Sequence, residues 1–280
     1  MLCWAMLHVM ISQGILEKKT FRVTSYSVGH GIAILLEYPN GEKHLYDCGA
    51  NDGGQKAAKL LLGDFLRRGI HHLDRVYLSH ADLDHYSSFP EILSEVEIDE
   101  IVTTEQFLSS TEPNIISLIS TIKEHECRLR MVQRGDMETV GEDVRIEVMH
   151  PAAEESYSSD NAASLVLKVT YADSDLLLTG DVEAEGMSEM LEQPAIPVDL
   201  LLAPHHGSVA ANNESIADWC SPHVVVVSCG READMPHLNR IYGDAARVHN
   251  TDRDGALLLE NFENGERKWL AWKSQLSVFD

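Results

Sequence analysis

"SHADLDHYSS", Ser79 to Ser88, is the stretch on which the reading of this chain turns. Four of its ten residues are metal-ligand types, His80, Asp82, Asp84 and His85, in the pattern H-x-D-x-D-H. Residues i and i+2 on a strand end or tight loop point the same way. His80 with Asp82, and Asp84 with the neighbouring His85, can therefore face two adjacent ions. Zn²⁺ accepts imidazole and carboxylate, and a richer carboxylate share also suits Mn²⁺. The same aspartates also suit a turn capping a helix start, because Asp favours both positions.

The choice between those readings depends on what surrounds the motif. "DRVYLSH" reads as a strand that stops at His80, "LLLTGD" as one that stops at Asp181, and "VDLLLAPHH" as one that stops at His205 and His206. Sites in open α/β sheets collect at the carboxyl ends of strands. Packing alone does not require three apolar runs to deliver His or Asp at that end. Asp181 follows Gly180, which permits close backbone approach, and its carboxylate is suited to bridge two ions about 3.5–4 Å apart. Without such company it would read as the N-cap of a helix near "VEAEGMSEM". Of His205 and His206 at least one is a ligand candidate, and spacing does not choose between them.

Around these stations "FRVTSYSVG", "GIAILLEY" and "KHLYDCG" read as an antiparallel meander, the last two strands joined by an Asn40–Gly41 turn. "QKAAKLLLGDFLRRG" has helical spacing at Ala57, Leu60, Leu61 and Phe65 with Gly69 as its stop, and "PNIISLISTIKEHE" reads as a helix opened by Pro113. "DVRIEVMHP" is a strand, "SLVLKVTY-ADSD-LLLTGD" a hairpin, and "HVVVVSCG" a buried strand after a helical stretch near "NESIADWC". "ARVHNTDRDGALLLE" and "RKWLAWK" close the chain as strands. Hairpins mixed with strand–helix alternation predict a layered α/β protein. The expected organisation is one domain over residues 20–280, preceded by the apolar segment 1–19.

The 280 residues carry Asp+Glu 45 against Lys+Arg 22, a formal charge of -23. That balance repels polyanions, so a nucleic-acid substrate requires bound cations or a local basic patch, and no Lys/Arg-rich run is visible. Five cysteines, Cys3, Cys48, Cys127, Cys220 and Cys229, share no C-x-x-C spacing. They point to a reducing compartment and a cytoplasmic protein. "MLCWAMLHVMISQGIL" is short for a membrane span and lacks the basic start of a signal peptide. It reads as a docked helix or tail, with a weak membrane anchor through residues 1–16 as the alternative.

Taken together, these residues resemble the metallo-β-lactamase fold hydrolases. The usual motif of that family is H-x-H-x-D-H; the form with Asp82 in the middle is similar to one branch, the nuclease-like domain of ComEC-type DNA-uptake proteins. "SVGHGIAILLE", "LYDCGA", "NAASLVL", "LLLTGD", "APHHGS" and "NTDRDGALLLE" follow in the order of that branch, from about Phe21 to Glu260. The resemblance implies a four-layer αβ/βα sandwich, two mixed sheets with helices outside, and one or two divalent ions, Zn²⁺ or Mn²⁺. It carries the metal-site role onto His80, Asp82, Asp84, His85, Asp181, His205 and His206, with Asp84 and Asp181 as the catalytic carboxylates. Asp47, otherwise a turn residue before Gly49, becomes the carboxylate that orients a ligand imidazole. Asn161 and Ser164 stand where most of the superfamily has another His, and His150 is a rival for that position. His237 falls near a segment that contacts substrate, and Thr251 and Asp252 have a weaker claim to the outer site.

The chain departs from the branch at Ser27, His30 (for Gln) and Ile32, and Ser87–Ser88 replace a Gly-Gly pair. The implied function is a metal-dependent phosphodiesterase or nuclease using activated water. The alternatives are a metallo-hydrolase of another ester, amide or lactone, and a non-catalytic descendant that binds metal or a partner. The chain lacks the many membrane spans of a full DNA-uptake channel, so a competence role is inherited by resemblance alone.

Overall fold

The computed structural model describes residues 20–153 and 155–273. The apolar segment 1–19 and residues 274–280 of the expected domain lie outside the described residues. The first sheet begins as expected, with β1 (Thr20–Ser25), β2 (Ala33–Glu37) and β3 (Lys43–Cys48) pairing antiparallel in sequence. The turn between β2 and β3 closes through Gly41 N–H donating to Tyr38 O, with Gly41 at φ 95°.

Helix α1 (Gln55–Arg68) ends at Gly69, whose φ of 68° is the left-handed stop that glycine supplies. Its Ala57, Leu61 and Phe65 stripe is buried, whereas Leu60, placed on the apolar face by spacing, is 41% exposed. Strand β4 (His72–Tyr77) then lies parallel to β3. The short helix α2 (Leu83–Tyr86) sits inside the metal-type motif, with Asp82 at its N-cap position but making no side-chain cap hydrogen bond, and is followed by α3 (Phe89–Glu95). Next come β5 (Glu97–Thr103), α4 (Glu105–Ser109), α5 (Pro113–Glu124) and β6 (Arg128–Met131).

The second sheet is built from β7 (Met137–Val140), β8 (Val144–His150), β9 (Val166–Tyr171), β10 (Ser174–Leu178), β11 (Leu200–Leu202), β12 (Val224–Val227) and β13 (Arg247–Asn250). Helix α6 (Ala184–Leu191) follows β10, α7 (Glu214–Cys220) and α8 (Met235–Tyr242) flank β12, and the single turn α9 (Thr251–Asp254) follows β13. Strands β14 (Leu257–Phe262) and β15 (Arg267–Ala271) return to the first sheet. Its order is β15-β14-β1-β2-β3-β4-β5-β6; the second reads β13-β12-β11-β10-β9-β8-β7.

Alternation along single strands shows why four layers form. In β12, Val224 and Val226 enter the core between the sheets, while Val225 and Val227 join Ile216, Trp219 and Leu238 under the second helix layer. In β2, Ile34 and Leu36 face the second sheet, and Ala33 and Leu35 face α1 and α3. A strand apolar on both faces must be covered on both. The result is the four-layer sandwich, two mixed sheets with helices outside. Because β3–β4–β5–β6 and β10–β11–β12–β13 run parallel, their carboxyl ends gather at one edge. The two sheets are tied there by Tyr46 Oη donating to Leu165 O (2.7 Å) and Leu165 N–H to Ser79 O (2.9 Å). Among the described residues no helix is long and apolar enough to cross a membrane.

Candidate metal centre

Asp47, at the end of β3, starts the site. It is fully buried, and its backbone sits in the left-handed region at φ 53°. Such a conformation is costly for a non-glycine residue and persists where surroundings enforce it. Ser79 N–H donates to Asp47 Oδ1 (2.8 Å) and Ser79 Oγ to Oδ2 (2.7 Å). His85 Nδ1 lies 2.8 Å from the same Oδ2. Because a carboxylate only accepts, His85 carries its proton on Nδ1 and turns Nε2 inward. Ser79 Oγ also receives His80 Nδ1 (2.9 Å), so one hydroxyl positions both imidazoles of the motif.

Asp181 reaches them from the second sheet. Its Oδ1 is 3.2 Å from His85 Nε2, and its Oδ2 is 3.2 Å from His206 Nε2. Its backbone N–H donates to Ser164 Oγ (3.2 Å), which fixes the carboxylate relative to the loop before β9. His206 Nδ1 donates to Ser228 O (2.8 Å), and its Nε2 is 3.1 Å from Asp84 Oδ2. The backbone there is also left-handed, with φ 47° at His205, 51° at His206 and 80° at Gly207. That turn is what swings the His206 ring back over the strand ends.

Four buried imidazole Nε2 atoms have no aligned hydrogen-bond partner: those of His80, His85 and His206, which gather with the equally unpaired Asp181 Oδ1, and that of His150, which lies apart. Leaving buried polar atoms unpaired is costly, and such atoms call for an explanation. The ligand-type atoms at the centre fall into two sets, His80–His85–Asp181 and His30–Asp84–His206, each gathered within 4.8 Å. Imidazole and carboxylate donors around two adjacent positions fit divalent transition-metal ions.

The charges are mutually sustaining. Burial raises the Asp84 carboxyl, but the neighbouring His206 and His85 outweigh it and hold Asp84 at about 2. Burial likewise opposes the charged His206, and Asp181 and Asp84 overcome it, raising the imidazole to about 9. His85 is raised well above the ordinary value because Asp181 and Asp47 outweigh its complete burial. Asp181 is driven well below the usual carboxylate range by those same rings, against its burial.

Not every residue singled out by the sequence meets the centre. Asp82 stands at its rim, 3.6 Å from His80 Nε2 and 51% exposed. His205 diverges from His206: its Nδ1 is 2.7 Å from Glu183 Oε2, and its Nε2 is 3.9 Å from Asp181. Asn161 donates to Glu183 Oε1 (3.3 Å) and so supports that pair from behind. His150 is buried under Tyr157 with Nδ1 on Ser164 O (2.8 Å), apart from either set of donors. His237 lies in the first turn of α8, where Nε2 contacts Asn212 O (2.7 Å), because Asp234 caps a helix that "MPHLNR" did not announce. Asp252 is 3.9 Å from Arg231 at the surface, and Thr251 accepts Ser27 Oγ through its carbonyl (2.7 Å).

Sequence reasoning missed Ser79, Glu183 and His30. Ser79 and Glu183 lie within two residues of His80 and Asp181, so proximity to the motifs was their only signal. His30 was noted merely as a departure. The serines that replace the Gly-Gly pair have work of their own: Ser87 Oγ bridges Ala50 N and O, each at 3.0 Å, and Ser88 Oγ donates to Gly54 O (2.7 Å). They pin the α2 turn to the segment after β3.

Comparison with known proteins agrees with this geometry. Residues 27–230 match the family model described as the metallo-beta-lactamase superfamily. The chain is 29% identical over 205 residues to ComE operon protein 3 of Bacillus subtilis, covering 71% of this chain and 26% of that protein. It is 26% identical over 254 residues to Recombination protein 2 of Haemophilus influenzae, covering 89% of this chain and 30% of that protein. The chain thus spans less than a third of the length of these relatives. Among solved structures, the metallo-beta-lactamase fold protein YhfI of Bacillus subtilis aligns with TM-score 0.54 at 13% identity, covering 86% of this chain and all of that one. With the model matched across most of its length and the fold and donor clusters in place, the chain belongs to the metallo-β-lactamase superfamily.

Proposed function

We propose that this chain is a metal-dependent phosphodiesterase acting on nucleic acid or another phosphodiester. The observation that carries the reading is the set of three inward, unpartnered Nε2 atoms around the Asp181 carboxylate. His80, His85 and Asp181 would hold one divalent ion, with Asp82 beside His80; Asp84, His206 and the shared Asp181 would hold another. Divalent cations in such a cradle lower the pKa of water toward 7 and offset the charge of an anionic substrate. That offset matters in a chain of formal charge -23.

The chain's own groups supply the remainder. Asp47 and the Ser228 carbonyl hold the Nδ1 protons of His85 and His206, so both rings aim Nε2 at the centre and need lose only the Nε2 proton to coordinate. Ser164 keeps Asp181 between the two sets of donors. His205, gripped by Glu183 and one-third exposed at the rim, would pass a proton to the leaving oxygen. The relationship to proteins named for the ComE operon and for recombination favours nucleic acid as the phosphodiester.

The test is hydrolysis of bis(p-nitrophenyl) phosphate and of single-stranded and duplex DNA by protein reloaded with Mn²⁺ or Zn²⁺. Activity should vanish with chelator and return with metal. Metal-loaded protein that leaves every phosphodiester intact while cleaving a carboxylic ester or lactone would overturn the assignment.

A further inference from the structure

The second set of donors contains a residue that the branch pattern does not supply. His30 lies in the loop between β1 and β2, where the resembled sequences carry Gln. Its Nε2 is 3.5 Å from Asp84 Oδ2, and its ring centroid is 4.4 Å from that of His206. Without it, Asp84 and His206 offer one atom each beside a carboxylate shared with the other set. Zn²⁺ sites of this kind take three protein ligands with a further position for water or substrate, and His30 gives the second set three donors of its own besides the Asp181 carboxylate it shares.

The loop is built to hold that ring in place. Gly31, at φ 153°, packs so closely that an added Cβ would sit 2.2 Å from Gly49 O and 2.8 Å from Asp84 O. Asn51 N–H donates to His30 O (2.8 Å), and Ser228 Oγ to Gly31 O (2.7 Å). The backbone at His30 and Gly31 is therefore tied to the segment after β3, which carries Asp47, and to the end of β12, where the Ser228 carbonyl also accepts from His206. On the far side of the ring, Nδ1 is 3.5 Å from Cys229 Sγ, and that thiol points to Glu232 Oε2 at 4.0 Å. A sulfur accepting from Nδ1–H leaves the Nε2 lone pair facing Asp84 and His206.

We propose that His30 is a direct ligand of the second ion, completing it with Asp84 and His206, and that Cys229 orients its ring. This rests on the two-position metal centre proposed above. It would distinguish the chain from the branch pattern it resembles, which has Gln at this place.

The experiment compares wild type, His30→Gln and Cys229→Ser, each stripped and refilled with Zn²⁺, by elemental analysis after desalting and by chelator competition. Wild type should retain two ions. His30→Gln should keep the first at unchanged affinity and weaken the second by about 100-fold or more, beyond what loss of an orienting partner costs. Cys229→Ser should weaken only the second, by roughly 10–100-fold; no change there removes Cys229 from the proposal. If His30→Gln binds both ions like wild type, the inference is wrong and the two-position centre stands; wild type that holds only one ion overturns the inference together with the second position of the centre. Wild type that holds none overturns both. Anomalous diffraction from zinc-loaded wild type gives an answer independent of how the variants fold. An ion about 2.0–2.1 Å from His30 Nε2 is expected, and an ion on Asp84 and His206 with His30 turned away refutes the assignment.

Discussion

Replacing Asp47 by Asn isolates the tautomer argument from everything else at the site. Asn has the same shape and is among the residues that tolerate the left-handed backbone, so φ 53° is kept with little strain. Its carbonyl can still accept Ser79 N–H, now 2.8 Å from Oδ1. The amide NH₂ then faces Ser79 Oγ and His85 Nδ1, which lie 2.7 and 2.8 Å from Oδ2. Two donors cannot meet, so His85 must accept at Nδ1 and move its proton to Nε2, the atom 3.2 Å from Asp181. A protonated Nε2 is no ligand. The cost to metal affinity should be about 10–100-fold, the usual consequence of losing an orienting partner. The metal-free chain should lose about 1–3 kcal/mol, because the buried bonds to a charged carboxylate become neutral and the Ser79 hydroxyl loses the acceptor it has in Asp47 Oδ2. Chelator competition and thermal melts of stripped and refilled protein measure the two effects separately. Unchanged metal affinity in a folded Asp47→Asn protein would refute the reasoning, because it would mean that His85 does not present Nε2 to an ion.

Asp84→Asn removes the charge 3.1 Å from His206 Nε2 while keeping the side chain's size; turnover should fall about 10²–10⁴-fold with occupancy confirmed by elemental analysis. His206, raised from 6.5 to about 9 because Asp181 and Asp84 outweigh its burial, stabilises the metal-free chain when protonated. That contribution is fully present below about pH 6.5 and is lost as pH rises through about 9. Stripped protein should therefore melt at lower temperature across that window, by calorimetry. Metal-loaded protein, whose His206 is neutral, should not show this loss, and binding at pH 7 should release protons into the buffer.

The fold was legible where burial has a simple period. Both faces of "AILLE" and "VVVV" are apolar because each sandwiches between layers, and the hairpin from Val166 to Leu178 alternates around its turn. Strands β5, β6 and β7 left a weaker trace, because β6 and β7 are short edge strands whose Arg130 and Glu138 pair with each other (2.9 Å) and with Arg75 and Glu100 rather than with apolar neighbours. At the site, spacing alone put His80, Asp181 and one of two adjacent histidines at strand ends, with Asp84 and His85 in the motif that follows the first of them. It could not choose His206, because the choice is made by positive φ at two successive non-glycine residues. Nor could it see His30 or Glu183, whose roles depend on segments far apart in the chain meeting at one edge.

Gly49 shows how tightly that meeting is drawn. A Cβ there would lie 2.4 Å from Asp84 C, 2.5 Å from Asp84 O and 2.5 Å from His85 N, all backbone atoms with no rotamer to change. Gly49 N–H also donates to Ile32 O (3.0 Å) and Ile32 N–H to Asp84 O (3.2 Å), so β2, β3 and α2 are locked together. Gly49→Ala must push α2 away, and α2 carries the groups that sit 3.1 Å from His206 and 3.2 Å from Asp181. The expected outcome is about 1–3 kcal/mol of overpacking strain together with loss of metal from both positions. Gly63 in α1 is the control: nothing lies within 4 Å of its Cβ position, so Gly63→Ala should stabilise by roughly 0.4–1 kcal/mol and leave metal content alone. Thermal melts and elemental analysis of the two variants side by side decide the matter. If Gly49→Ala keeps both ions and the wild-type melting temperature, the packing of α2 against the end of β3 is not what sets the geometry of the centre.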